Sequence, residues 1–598
     1  MGDREPARRV LGACLLIIGL VSCAETPKQQ KPAVTAPLTT PVPAGIPKGP
    51  AIALLAPAAA RPYLLATVTV SSIDRLLANG TKLVGQAMPL PMDAVGLRDM
   101  LLSQAGLPPE VAVNMDFASP SAAAFVALDG KGKSGAVLAV PARGPAEAQK
   151  IIDALGKKIT TRGEATLIEG NTGGRGWLYK TGNIVVLSDD VDALARGTTL
   201  TLEARRPGAE DVTAVLFPEA IARANGTDVK TAINHFLKEM EEKQASSSAP
   251  GAAGDAAARE HSLEALGEAL ALAGDTSSIE MSLVADPAKG LIIRARFNAR
   301  PGTKLETVAK EVKAFKLDPA VATTSAAGRF LIGGNSIGPF WRGVLGTYRD
   351  RLATDKKKGA PAALAYYDAV VAALVGQQSL SLSLYKEAPY LSGAVAIPLQ
   401  DAASAGKVAA SLATLDNAAA SALLRAQLGD TSSVEWTVKK ESVGKLKTQH
   451  FKVKLKKKPA GASDMSKRLL GQTLDVYWTV ADTRMLLTLG KDAKTRLTAI
   501  ASGKAPPEPN KAVADAQAAA VARDLFYYVD LTPVLSVVGS LTEEQRLAAL
   551  GKGGSNPIPV VFTAGGDGAG KLWTVDLTVP PAAFAGIGTL VAAGIGAN

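Results

Sequence analysis

The chain has 598 residues, 47% of them hydrophobic and 20% charged, with a net charge of +11 and two cysteines. Its length allows about two to four domains with sizeable cores, and so few cysteines exclude a fold stapled by several disulfides. The basic surface suits anionic partners such as lipopolysaccharide or phospholipid headgroups, and it also serves solubility.

Residues 1–22 read as an export signal. Arg4, Arg8 and Arg9 form a charged start, and Val10 to Val21 is almost wholly apolar but too short for a stable bilayer-spanning helix. The segment ends in Leu20-Val21-Ser22-Cys23, which resembles the lipobox of bacterial lipoproteins. Leu11-Gly12-Ala13-Cys14 fits the same short pattern, yet no apolar run precedes it. The resemblance covers residues 1–24 and implies cleavage before Cys23 with acylation of its thiol and usually its amino group. Two acyl chains anchor firmly, at about 0.8 kcal/mol per buried methylene. Ala24 stands where an aspartate would, by analogy with enterobacterial lipoproteins, retain the protein at the inner membrane, so the resemblance implies the outer membrane. Acylation consumes Cys23, which removes disulfides, thiol redox chemistry and cysteine metal sites. Nucleic acid is a poor partner for an exported chain, and no cofactor is expected.

Residues 23–50 contain seven prolines among Lys, Thr and Gln, a composition that forms an extended spacer rather than a core. Beyond it the chain repeats itself. "SGAVLAVPARGPAEAQKIIDAL" (134–155) matches "SGAVAIPLQDAASAGKVAASL" (392–412), each a strand, a turn through Pro141 or Pro398, then an alanine-rich helix. In the same order, 181–197 resembles 481–503, 211–221 resembles 524–535, and 278–303 resembles 559–583. These parallels predict two copies of one domain, residues 51–300 and 301–598, with a low-complexity loop at 244–260 in the first. Gly-containing turns such as Asp129-Gly130, Asp286 to Gly290 and Asp567-Gly568 join alternating strands. Helices follow pairs of strands rather than every strand. The expected class is therefore α+β, an internally duplicated domain of mainly antiparallel sheets covered by helices.

One motif invites a catalytic reading. Gly334-Asn335-Ser336-Ile337-Gly338 is a G-x-S-x-G pentapeptide between a strand-like and a helix-like run, the form of a hydrolase nucleophile elbow. Its counterpart in the first copy, near Thr69 to Ser72, has the same strand-to-helix form without the motif, so Asn335 or Ser336 also suits a helix cap. A hydrolase would need a histidine downstream, and only His450 follows Ser336. Alternation in "KLKTQHFKVKLKKKP" puts His450 on a lysine face with Lys452, Lys454 and Lys456, a poor setting for a buried base.

Other partial motifs have simpler explanations. "ALDGKGKS" (127–134) departs from a phosphate-binding loop and continues as a strand, which predicts a hairpin turn. "KTG" (180–182) lacks an upstream S-x-x-K on a helix. Asp189 and Asp190 suit helix capping, and Glu239, Glu241 and Glu242 a solvated helix face, so no metal site is expected. Lys452, Lys454 and Lys456 could bind anionic lipid or an acidic partner, or could guard an exposed sheet edge. Together these readings predict a non-enzymatic, membrane-anchored envelope protein that binds a partner or an amphiphile. A lipid carrier with an apolar groove between the repeats and a serine hydrolase using Ser336 are the alternatives.

Overall fold

The computed structural model describes residues 52–88, 92–104, 107–169, 175–246, 270–311 (except 273), 318, 321, 329–335, 339–384 (except 376), 391–428, 434–455, 473–503 (except 491), 524–532 and 558–595. Within them, contacts define two compact units: residues 1–75 with 95–228, and residues 76–94 with 229–598.

The first unit is built on one antiparallel sheet. Its strands are β1 (Leu64–Val70), β2 (Ser121–Ala127), β3 (Ser134–Pro141), β4 (Lys157–Arg162), β5 (Ala165–Glu169), β6 (Arg175–Thr181), β7 (Ile184–Ser188) and β8 (Val212–Leu216). They pair in the spatial order 8-1-2-3-7-6-5-4. The β2–β3 connection is the stretch that imitates a phosphate loop. There Asp129 Oδ1 accepts the N–H groups of Lys131 and Lys133, both at 2.9 Å, so the carboxylate shapes a hairpin turn.

Helices cover both faces, so neighbouring residues alternate between two cores. Beneath α2 (Pro145–Leu155; α1 is Ile73–Ala87), Ala148 and Ile151 pack with Val140, Ile168, Leu178 and Val185. On the other face, Ala193 and Leu194 of α3 (Val191–Ala204) pack with Val137, Leu167, Trp177 and Val186. Each fully buried leucine stabilises the fold by roughly 1.5–3 kcal/mol. Asp190 caps α3, accepting from the Asp192 and Ala193 amides. A Cβ at Gly197 would lie 2.5 Å from Val137 Cγ2, so the absence of a side chain sets how closely α3 approaches the sheet.

The same arrangement recurs in the second unit. Its strands are β9 (Thr276–Asp286), β10 (Gly290–Ala299), β11 (Arg329–Asn335), β12 (Gln377–Leu384), β13 (Leu391–Pro398), β14 (Val434–Val443), β15 (Leu446–Leu455), β16 (Thr473–Ala481), β17 (Arg484–Gly490), β18 (Leu525–Asp530), β19 (Pro559–Gly566) and β20 (Leu572–Val579). Strands β11 to β18 pair in the order 18-11-12-13-17-16-15-14, the order of β1 to β8 repeated. Registers agree as well. Ala66 lies between Phe125 and Leu216 as Phe330 lies between Leu382 and Val529. Pro141 and Pro398 both close their strands, opposite Ile184 and Arg484. The fold is an internally duplicated α+β domain with antiparallel sheets and helical layers.

Two further hairpins extend the second sheet. β18 pairs with β19, β19 with β20, β20 with β10, and β10 with β9. The hairpins turn alike: Asp286 accepts from Ala288, and Asp567 accepts from Ala569. Across β10–β20, Arg294 Nε donates to Asp576 Oδ1 at 2.6 Å. The final hairpin of the first repeat therefore groups with the second repeat, and the contact units divide the chain elsewhere than at residue 300.

Helices again flank the sheet. One face carries Phe451 and Met485 against Tyr366 of α5 (Ala360–Ala373; α4 is Pro339–Thr354), Val408 and Leu412 of α6 (Ala402–Leu412) and Leu423 of α7 (Asn417–Leu428). The opposite face carries Ala394, Tyr477 and Leu486 against Leu497 and Ile500 of α8 (Ala493–Ala501).

Candidate functional site

Cys23, Ser336 and Lys456 lie outside the described residues, so the lipobox and the pentapeptide serine have no structural account. A count along the sequence from the described strands pairs Ser336 with a residue of the first repeat. Counting six residues on from Ala66 and from Phe330, which hold the same place in the two ladders, gives Ser72 and Ser336. Ser72 precedes α1. Its Oγ accepts the Arg75 N–H at 3.1 Å and donates to the Phe117 carbonyl at 3.3 Å, which is the work of a helix cap.

His450 has a different setting from the one alternation suggested. β15 is an interior strand, paired with both β14 and β16, so it guards no sheet edge. Lys452 and Lys454 are exposed on it, opposite Asp475 and Glu435 respectively. The His450 side chain is only 15% exposed. Its Nε2 is 2.8 Å from Asp475 Oδ1, and its Nδ1 is 3.2 Å from Glu441 Oε2. The ring stacks on Tyr477, centroids 4.4 Å apart. From α8, Lys494 hydrogen-bonds Glu441 Oε1 and sits 5.5 Å from the Tyr477 ring centre. Alternation correctly placed His450 beside the lysines. It could not show that Tyr477 and Lys494 crowd this part of the face and that flanking strands bring two carboxylates.

Three charge effects follow. The Lys494 hydrogen bond holds the Glu441 carboxyl below its ordinary range, and the same contact raises Lys494. Burial raises the Tyr477 phenol. An imidazolium can donate to both carboxylates at once, whereas a neutral ring donates to one.

The first repeat does not keep this cluster. His450 lies between Lys439 and Tyr477 in the ladder as Leu167 lies between Thr160 and Trp177. Two positions along, Arg162 corresponds to Glu441 and Arg175 to Asp475. An acid–histidine–acid set in one copy is thus arginine–leucine–arginine in the other, where the Arg162 guanidinium lies over Trp177. The scaffold does not require the cluster.

Beside it lies a cavity of about 740 Å³. Lys440, Lys445 and Lys447 of the β14–β15 hairpin, with Glu441, Ser442, Thr448, Gln449 and Asp482, supply its polar lining. Leu412, Ala413, Val480 and Ala501 supply apolar wall. Gln449 is 4% exposed, and its Nε2 donates to the Leu412 carbonyl at 3.2 Å, which leaves Oε1 buried with no partner among the described residues. These groups escaped the sequence reading, although Gly444-Lys445 between two alternating runs signals the hairpin that aligns them.

Among the described residues, no group of three or more His, Cys, Asp or Glu side chains is arranged to hold a metal ion. None of their helices is long and apolar enough to cross a membrane, which says nothing of strands. No known protein family matches the chain, and neither the curated proteins nor the solved structures contain a match.

Proposed function

We propose that this chain is a lipid-anchored protein of the bacterial cell envelope that binds a ligand through its second repeat and does not transform it. The observation that carries the reading is the cavity at the β14–β15 hairpin, lined by three exposed lysines and by a buried amide oxygen with no partner among the described residues. An unmatched buried acceptor costs about 1–3 kcal/mol, which a ligand donor would recover. Binding is also favoured over hydrolysis by the environment of His450. Both ring nitrogens already face carboxylates, so neither is open to take a proton from a serine. The anchor and outer-membrane address rest on the resemblance of residues 1–24 to lipoprotein signals.

Two measurements test this reading. In cells given an alkyne-tagged fatty acid, the wild-type chain should take up label and Cys23→Ala should not; labelling of the variant would remove the anchor. Native mass spectrometry of gently purified full chain should find a small molecule bound to the wild type and lost from a Lys445→Ser/Lys447→Ser variant. A bare wild-type chain in every preparation would contradict the binding role.

A further inference from the structure

We infer that the β14–β15 cavity is a site for a hydroxylated phosphate ester, a polyol or sugar carrying phosphate, either free or as a lipid headgroup. The inference rests on the binding role above and names the chemistry of the ligand.

The polar lining is bipolar. Lys440, Lys445 and Lys447 are exposed and have no ion-pair partner among the described residues, so the border of the cavity presents concentrated positive charge. Charge of that kind recruits phosphate. Two other lining groups, Gln449 and Asp482, ask for the opposite. Gln449 Oε1 calls for a hydrogen-bond donor, because it is buried with no partner among the described residues, while Nε2 is held by the Leu412 carbonyl. Asp482 is a further acceptor on the same lining, whereas Glu441 is already held by Lys494 and His450. A bare anion such as sulfate satisfies the lysines but offers Gln449 no proton and is repelled by the Asp482 carboxylate. A neutral polyol satisfies the acceptors and leaves the lysines unused. One molecule with a phosphate at one end and hydroxyls at the other meets both demands, and about 740 Å³ exceeds what inorganic phosphate needs.

Comparison of the repeats points to the same place. In the first, Arg162 and Ala165 flank a turn of two residues, Gly163-Glu164. At the matching register in the second, Glu441 and Thr448 flank six residues, Ser442 to Lys447. The longer hairpin supplies both Lys445 and Lys447. The pair Lys440 and Gln449 likewise replaces Thr161 and Thr166. The lysines and the orphan amide therefore belong to the second repeat alone, added to a scaffold that folds without them.

Calorimetric titration of the full chain in zwitterionic micelles tests the proposal. The probes are glycerol 1-phosphate, dihexanoyl phosphatidylglycerol, glycerol and sulfate. One glycerol 1-phosphate or one phosphatidylglycerol should bind per chain, with glycerol and sulfate weaker by about tenfold or more, since each meets only half of the lining. Tighter binding of the lipid identifies a headgroup site, and tighter binding of the free ester identifies a soluble ligand. Lys445→Ser/Lys447→Ser alters exposed side chains and should weaken binding about tenfold; Gln449→Leu should weaken it similarly where circular dichroism shows native folding. Sulfate binding as tightly as glycerol 1-phosphate, or unchanged affinity in the lysine variant, would overturn the inference. So would failure to bind any probe. In that case a different molecule seen by native mass spectrometry would leave the binding role standing, and a bare chain would remove both.

Discussion

The imidazole of His450 lies flat against the ring of Tyr477, with planes 8° from parallel and centroids 4.4 Å apart. Stacking fixes the ring plane, and the fixed plane aims one nitrogen at each carboxylate, Glu441 and Asp475. His450→Leu, which installs the residue of the first repeat, should keep the fold but remove the hydrogen bond to Asp475 and the close contact with Glu441. Both carboxylates keep some solvent, so urea unfolding should show a loss of about 1 kcal/mol. No change in the midpoint would mean that the contacts carry no stability.

Glu441 and Lys494 give the cluster a defined pH response. A carboxyl held below its usual value of 4.5 contributes stability that is present above that value and lost as pH falls through the lower folded-state pKa. A lysine raised above 10.5 contributes stability present below that value and lost as pH rises through its higher folded-state pKa. The pair is fully formed between those limits. Wild type should therefore exceed Lys494→Ala in stability at neutral pH, with the gap closing as Glu441 protonates. Unfolding midpoints measured from neutral to acid pH check this. A gap that widens toward acid would reverse the assignment.

Asp482 occupies a left-handed backbone conformation (φ 53°) at the first position of the β16–β17 turn. The matching position between β6 and β7 is Gly182 (φ 57°), a residue that adopts this conformation without strain. Asp482→Gly should raise stability by about 1 kcal/mol in chemical denaturation. Because Asp482 also lines the cavity, the same change should weaken binding of a hydroxylated ligand. Unaltered affinity would take this carboxylate out of the site.

The pair Ser72 and Ser336 separates capping from catalysis. Ser72→Ala removes the side-chain acceptor of the Arg75 amide and should cost about 1 kcal/mol by thermal or urea unfolding. On the binding reading, a fluorophosphonate probe should leave folded wild-type chain unlabelled. Labelling that disappears in Ser336→Ala would restore the hydrolase alternative.

Local signals in the sequence carried much of the fold. Asp129, Asp286 and Asp567 announce their turns, and Pro141 and Pro398 mark the same strand end in both copies, so duplication and antiparallel pairing were readable. The candidate site was not. Glu441, His450 and Asp475 sit on three strands and meet only through ladder register, which alternation within one strand does not reveal. Strand β15 reads as a charged edge because its lysines are conspicuous, yet it is flanked on both sides. Gln449 reads as an ordinary polar residue in a lysine run; its importance comes from a carbonyl of α6 that holds one end of its amide. Long-range pairing decides each of these.

Hydrogen–deuterium exchange of the full chain, alone and with glycerol 1-phosphate or dihexanoyl phosphatidylglycerol, tests the central claim most directly. The account predicts added protection in the second repeat around residues 409–413, 440–449 and 480–482, with the equivalent strands of the first repeat unchanged. Equal protection of both repeats, or protection elsewhere with none at the β14–β15 hairpin, would contradict it.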